Sequence, residues 1–278
     1  MPLVSVILPS RGRPDSLLRA VASLAHGDCE IIVGLDDDGG EDIESLVPEL
    51  ERLGNVTVIV APRAPCIGKL LDNLGKHATG DFLLPFTDDY TIDSEDWVER
   101  VRVAVERMPH RMGVAYLRDP MYPNFATFPI VSRETIALCG FFMPPFFPFL
   151  FGDTWWNEVG GMSGLIYPCT ASVSIMQETG HIHNFRDLRL WTGVFNRTRP
   201  MRELLAIQMI RTAMPGNEQG QNSLIATVPD RAAICAELLR QFNDKAFVDK
   251  WESWGDGFPH PHYSAMKAKA EAFMEATA

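Results

Sequence analysis

Four short, largely apolar runs, at residues 4–8, 30–35, 56–60 and 81–86, constrain the fold of this 278-residue chain more than any other feature. Each is too short for a buried helix and is bounded by Pro, Gly or acidic residues, so each reads as a buried strand. Amphipathic stretches separate them. Leu17, Leu18, Val21, Leu24 and Ala25 share one helical face behind Pro14, with Asp15 as the expected cap. Residues 41–53 and 68–77 suggest two more helices. Ser94 is expected to cap another, which aligns Trp97, Val101, Val105 and Met108. Such alternation implies an α/β fold, a mostly parallel sheet flanked by helices.

Beyond residue 113 the pattern turns irregular and rich in Pro, Phe and Gly, as binding loops and lids often are. Helical periodicity returns in residues 202–214, 230–242 and 263–276. The expected organisation is a domain over residues 1–199, whose pattern changes near residue 113, with a helical C-terminal extension over 200–278.

Charge excludes one class of partner. Acidic residues number 36 against 25 basic ones, a formal charge of -11. A chain that holds a polyanion by neutralising phosphates needs the opposite balance, so nucleic acid is not an expected partner. Five cysteines without a CxxC pair suggest reduced thiols and a cytoplasmic protein. Residues 135–152 carry no charge over 18 positions, but Pro144, Pro145 and Pro148 would break a spanning helix, so the expectation is a buried or substrate-facing loop and no transmembrane segment.

In an open parallel sheet, ligands bind beyond the carboxyl ends of the strands. Here those ends carry Pro9-Ser10-Arg11, Asp36-Asp37-Asp38 and Thr87-Asp88-Asp89. Carboxylates at two strand ends suit a hard cation or hydroxyl groups better than a bare phosphate. Neither GxGxxG nor GxxxxGK[ST] occurs, which removes the main support for dehydrogenase or P-loop chemistry.

Taken together these segments resemble the family 2 glycosyltransferases of the glycosyltransferase-A fold. Residues 4–14, VSVILPSRGRP, are similar to that family's opening strand. Residues 30–33, EIIV, followed by acids, are similar to its second strand. Asn73, Gly75 and Ala78-Thr79-Gly80-Asp81 match the stretch before its fourth strand. Phe86-Thr87-Asp88-Asp89-Tyr90 with Trp97 is similar to its D-x-D metal motif. The resemblance implies a nucleotide-sugar donor and a divalent cation, Mn2+ or Mg2+. It gives Asp89 the metal and Asp88 a donor contact, with Thr87 replacing the first acid; as residues alone, the same pair also suits a turn before a helix. Pro9, Ser10, Arg11, Asp36 and Asp37 are the other expected donor contacts. Leu35 stands where the first family aspartate belongs. Asp72 replaces the family's arginine, which leaves Lys69 as the substitute.

Inverting transfer needs a general base for the acceptor hydroxyl. The family draws it from an acid after an aromatic stretch, which points to Asp153 first and Glu158 second. A helix cap at Asp153 fits the same residues. Trp155 and Trp156 suit either stacking on an acceptor sugar or burial in the core. His181 and His183 alternate on one side of an extended chain, and many proteins of this fold supply a late histidine to the metal. Arg186, Arg189, Arg197 and Arg199 form a basic patch suited to a diphosphate or to solvent. The resemblance thus implies a nucleotide-sugar-binding half over residues 1–112, an acceptor-binding half over 113–199 and transfer to a saccharide or another hydroxyl acceptor. The apolar stretch 135–152 permits a lipid-linked one as well as burial in the core, and oligomers or a peripheral place at a membrane remain open. Two other functions share the scaffold. A sugar nucleotidyltransferase requires a glycine-rich loop that Ser10-Arg11-Gly12-Arg13-Pro14 replaces poorly, and a non-catalytic nucleotide- or sugar-binding module fits the altered motifs.

Overall fold

The computed structural model describes residues 3–38, 42–64, 66–145, 147, 151–176, 188–215 and 261–277. The expected strands are present as β1 (Val4–Ser10), β2 (Cys29–Asp36), β3 (Val56–Ala61) and β4 (Phe82–Pro85). The interspersed helices are α1 (Pro14–Leu24), α2 (Ile43–Glu51), α3 (Ile67–Gly75) and, after the short β5 (Tyr90–Ile92), α4 (Trp97–Val105). Two caps differ from expectation. Pro14 takes the first helical position of α1, where its missing N–H costs nothing, so Arg13 rather than Asp15 precedes the helix. Asp96, not Ser94, precedes α4.

The stretch read as irregular contains regular structure. It holds β6 (Val114–Arg118), β7 (Phe128–Ser132), α5 (Arg133–Cys139), α6 (Gly152–Ser163) and β8 (Ile166–Ile175). Pro129 lies inside β7 and Pro168 inside β8, which disguised both as loops. Helices α7 (Leu188–Arg197), α8 (Arg199–Ala213) and α9 (Pro261–Ala276) follow.

The eight strands form one sheet in the order β3-β2-β1-β4-β7-β6-β8-β5. Strands β1 to β4 pair in parallel, as do β6 and β8, whereas β7 is antiparallel to both β4 and β6. Two antiparallel steps restore direction, so the carboxyl ends of β1, β2, β4, β6 and β8 all lie at one edge. Alternate side chains feed two apolar layers, as the two-residue period of a strand requires. Val6, Leu8, Ile31 and Val33 pack with α1, α2 and α4. Ile7, Ile32, Leu83 and Val114 pack with α3 and α6 to α9. The α/β expectation, with a mostly parallel sheet and a C-terminal helix, matches this arrangement.

Phe142, Met143 and Phe147, from the uncharged stretch, are buried in the second layer. The backbone around Phe142 is clamped from both sides: Phe142 N–H donates to Asp72 Oδ1 at 2.9 Å, and Trp156 Nε1 donates to Phe142 O at 2.8 Å. Asp72 therefore holds this loop at the place where the family's arginine was expected. Gly68 lets it approach, since a Cβ there would lie 2.1 Å from Pro144 O. Among the described residues no helix is long and apolar enough to cross a membrane.

Candidate active site

Three strand ends converge on the carboxyl edge. Ser10 closes β1 and Asp36 closes β2, paired in register with Ala61 of β3. That register makes Asp36 the buried acid of its trio, while Asp37 and Asp38 extend into solvent. Arg11 donates to Asp36 Oδ2 at 2.9 Å and also bonds Asp38. Burial pushes the Asp36 carboxyl up, and Arg11 opposes it. Arg11 holds the more exposed Asp38 below its ordinary range. Pro9 is partly buried within β1, and Lys69 is half-buried on α3, with no ion pair among the described residues.

Asp88 and Asp89 follow β4 and are both buried, Asp88 completely. Ser10 Oγ donates to Asp88 Oδ2 at 2.5 Å, and Arg13 Nη2 stands 2.6 Å from Oδ1, off the angle of a hydrogen bond. Burial raises the Asp88 pKa, with Ser10 and then Arg13 working against it. The sequence had offered Arg13 only as part of an opening motif; its basic side chain just past β1 was the available signal. Asp89 O accepts from Met176 N–H at 2.8 Å, which ties the acid pair to the end of β8.

Helix α6 supplies the other side. Asn157 Oδ1 accepts from Ala126 N–H at 3.1 Å just before β7 begins, at the carboxyl edge. A Cβ on Gly160 would touch Ile166 and Val114, which start β8 and β6 at the opposite edge. The helix axis thus runs away from the candidate site, and its first turn lies at the carboxyl edge. Asp153 sits in that turn, on the face of Asn157 four residues later. It is not the cap: Phe151 holds that position in left-handed conformation, φ 71°, at a cost of about 1 kcal/mol. The Phe151 ring stacks on Phe195 at 4.9 Å, a contact of comparable worth. Burial pushes the Asp153 carboxyl up, against hydrogen bonds from Thr154 N–H and Oγ1.

Other expected residues have different surroundings. Trp155 and Trp156 are both core side chains with no face open to an acceptor. Glu158 accepts from Arg202 Nε at 2.8 Å, and Arg202 is 1% exposed, bonded to Thr198 Oγ1 and lying 3.7 Å over the Phe195 ring. Arg199 pairs with Glu203. His181, His183 and Arg186 lie outside the described residues.

Within the described residues no three acidic, histidine or cysteine side chains are close enough to ligate a metal together. A Mg2+- or Mn2+-type cation needs only one or two protein carboxylates when substrate phosphates supply the rest, and the buried Asp89 carboxylate is an oxygen donor of that kind.

Residues 5–131 match the family described as glycosyl transferase family 2. Among solved structures, residues 1–349 of S. aureus TarS in complex with UDP-GlcNAc superpose with a TM-score of 0.56 at 13% identity, over 100% of this chain and 93% of that one. The mannosyltransferase PcManGT from Pyrobaculum calidifontis, in complex with GDP-Man and Mn2+, gives 0.50 at 12% identity, over 99% and 87%. A search among curated proteins returns no match. At such identities the structural likeness establishes the fold, and the family match covers residues 5–131. Residues 5–131 thus match glycosyl transferase family 2, and the chain as a whole shares the glycosyltransferase-A fold of these solved transferases.

Proposed function

We propose that this enzyme transfers a sugar from a nucleotide-sugar donor to an acceptor hydroxyl with inversion, in the presence of Mn2+ or Mg2+. The observation that carries the reading is the Asn157–Ala126 bond, because it puts the first turn of α6, and Asp153 with it, at the edge where Asp36, Asp88 and Asp89 end their strands. Arg11 and Asp36 suit the nucleoside, Ser10 and Asp88 the ribose or donor sugar, and Asp89 the cation. Bound there, the cation would neutralise charge on the departing diphosphate. Asp153 would take the acceptor proton, and its burial favours that role because a desolvated carboxylate binds a proton more readily. Pro9 and Lys69 remain donor contacts in this scheme. The S. aureus and Pyrobaculum proteins bind UDP-GlcNAc and GDP-Man, which makes both suitable probes.

Calorimetry with UDP, GDP and Mn2+, followed by donor turnover, tests the assignment. Asp89→Ala should abolish cation-dependent nucleotide binding, and unchanged binding would remove the metal role. Asp153→Asn should retain donor binding and lose acceptor transfer. Full transfer by that variant would remove the base.

A further inference from the structure

We propose that Asp119 and Thr127 seat the hydroxyl groups of the transferred sugar, a polyhydroxylated ring attached to a diphosphate at Asp89. The inference rests on the nucleotide-sugar reading above and assigns a subsite within it. Asp119 stands one residue beyond β6, at the same edge as Asp36 and Asp89, and is 1% exposed. Its Oδ1 accepts from Met121 N–H at 2.9 Å and its carbonyl from Tyr122 N–H, so a turn fixes the carboxylate. Its Oδ2 is buried and has no hydrogen-bond partner among the described residues, and the same holds for Thr127 Oγ1. Leu117 lies opposite Phe128 in the β6–β7 register, which brings Asp119 and Thr127 to the same end of that strand pair.

An ionised carboxylate oxygen buried without a donor is costly, so its persistence calls for a partner that arrives from outside. A sugar hydroxyl fits, since it donates to Asp119 Oδ2, while the Thr127 hydroxyl either donates or accepts. A phosphate oxygen does not, because it brings no hydrogen and repels the acid. The surroundings connect the pair to Asp89. The Tyr90 ring lies 4.9 Å from that of Phe128, next to Thr127 in the chain.

The test is calorimetric titration of wild type, Asp119→Asn and Thr127→Val in Mn2+, each with UDP and UDP-GlcNAc and with GDP and GDP-Man. Both variants are close in shape to the native residue, and an unchanged thermal midpoint confirms that they fold. The variants should bind the bare nucleoside diphosphate like wild type and bind the matching nucleotide-sugar about ten- to a hundredfold more weakly. Equal affinity of variants and wild type for the nucleotide-sugar, or equal losses on both ligands, would overturn the subsite and leave the transferase reading intact. Unchanged donor affinity with a raised acceptor KM would move the hydroxyls to the acceptor and overturn it too. Failure of wild type to bind any nucleotide or nucleotide-sugar would take down both proposals together.

Discussion

Arg13 Nη2 lies 2.6 Å from Asp88 Oδ1, an ion pair that fastens the loop after β1 to the end of β4. The two strands are parallel neighbours, and their carboxyl ends form the crevice where a nucleotide enters such a sheet. Asp88 is fully buried, whereas the Arg13 side chain remains 40% exposed, so the guanidinium faces the crevice with its charge only partly screened.

With the cation proposed at Asp89, Arg13 would oppose it. Arg13→Gln should tighten Mn2+ binding in the absence of nucleotide by about two- to fivefold, the worth of a partly exposed charge. Calorimetric titration with MnCl2 measures it. Equal or weaker Mn2+ binding would show that Arg13 does not compete.

In its proposed role as base, Asp153 sets an acid limb. Burial raises its pKa above the ordinary 3.8, so the native carboxyl loses its proton later than the unfolded one. As a base it must be ionised, and kcat/KM should fall on the acid side with an apparent pKa above 3.8. The stability sign is opposite to that of a salt-bridged acid: its contribution is complete below 3.8 and is lost as pH rises through the native value. At neutral pH Asp153→Asn should consequently match or exceed the wild-type thermal midpoint while losing transfer. A variant that loses both would make Asp153 a structural residue.

Glu158 and Arg202 give the contrasting case. Arg202 is almost wholly buried between Glu158, Thr198 and the Phe195 ring, and removing one member of such a set leaves the other uncompensated. Arg202→Ala should cost about 3 kcal/mol. Glu158 is a third exposed, so Glu158→Gln should cost less, and its kcat should stay within a few-fold of wild type. Denaturant melts and donor turnover on the same samples separate the effects. A hundredfold loss of kcat in a stable Glu158→Gln protein would restore it as the base.

Glu30 tests the frame beneath the site. Burial pushes its carboxyl up, but hydrogen bonds from Ser5, Thr79 and Gly80 outweigh that and hold it below 4.5. Its stabilisation is present above pH 4.5 and is lost as pH falls through the lower native value. Glu30→Gln should cost about 1–2 kcal/mol at pH 7 and progressively less in acid. Urea melts at pH 7 and pH 3 measure the difference, and a pH-independent penalty would contradict it.

The amino-acid sequence by itself determined the βαβ frame of the first hundred residues. Strands β1 to β4 are apolar runs stopped by Pro or Asp, and the faces of α1, α3 and α4 repeat at the helical period, so local chemistry suffices to find them. It also brought out the acids at two strand ends, because an acid directly after a buried run marks the place where a strand leaves the core. Asp119 follows the same rule after β6, but the prolines around it hid the strand. Only the tertiary structure decided the rest. Which of Asp36, Asp37 and Asp38 is buried depends on the register of β2 against β3. Whether Trp155 and Trp156 face a ligand depends on Phe142 and on Arg202, dozens of residues away in the chain for the latter. Arg13 with Asp88, and Arg202 with Glu158, are pairings between charges far apart in sequence. Periodicity reports how a segment meets its own solvent and core faces. Partner choice is set by packing that brings distant segments together, and carries no local signal.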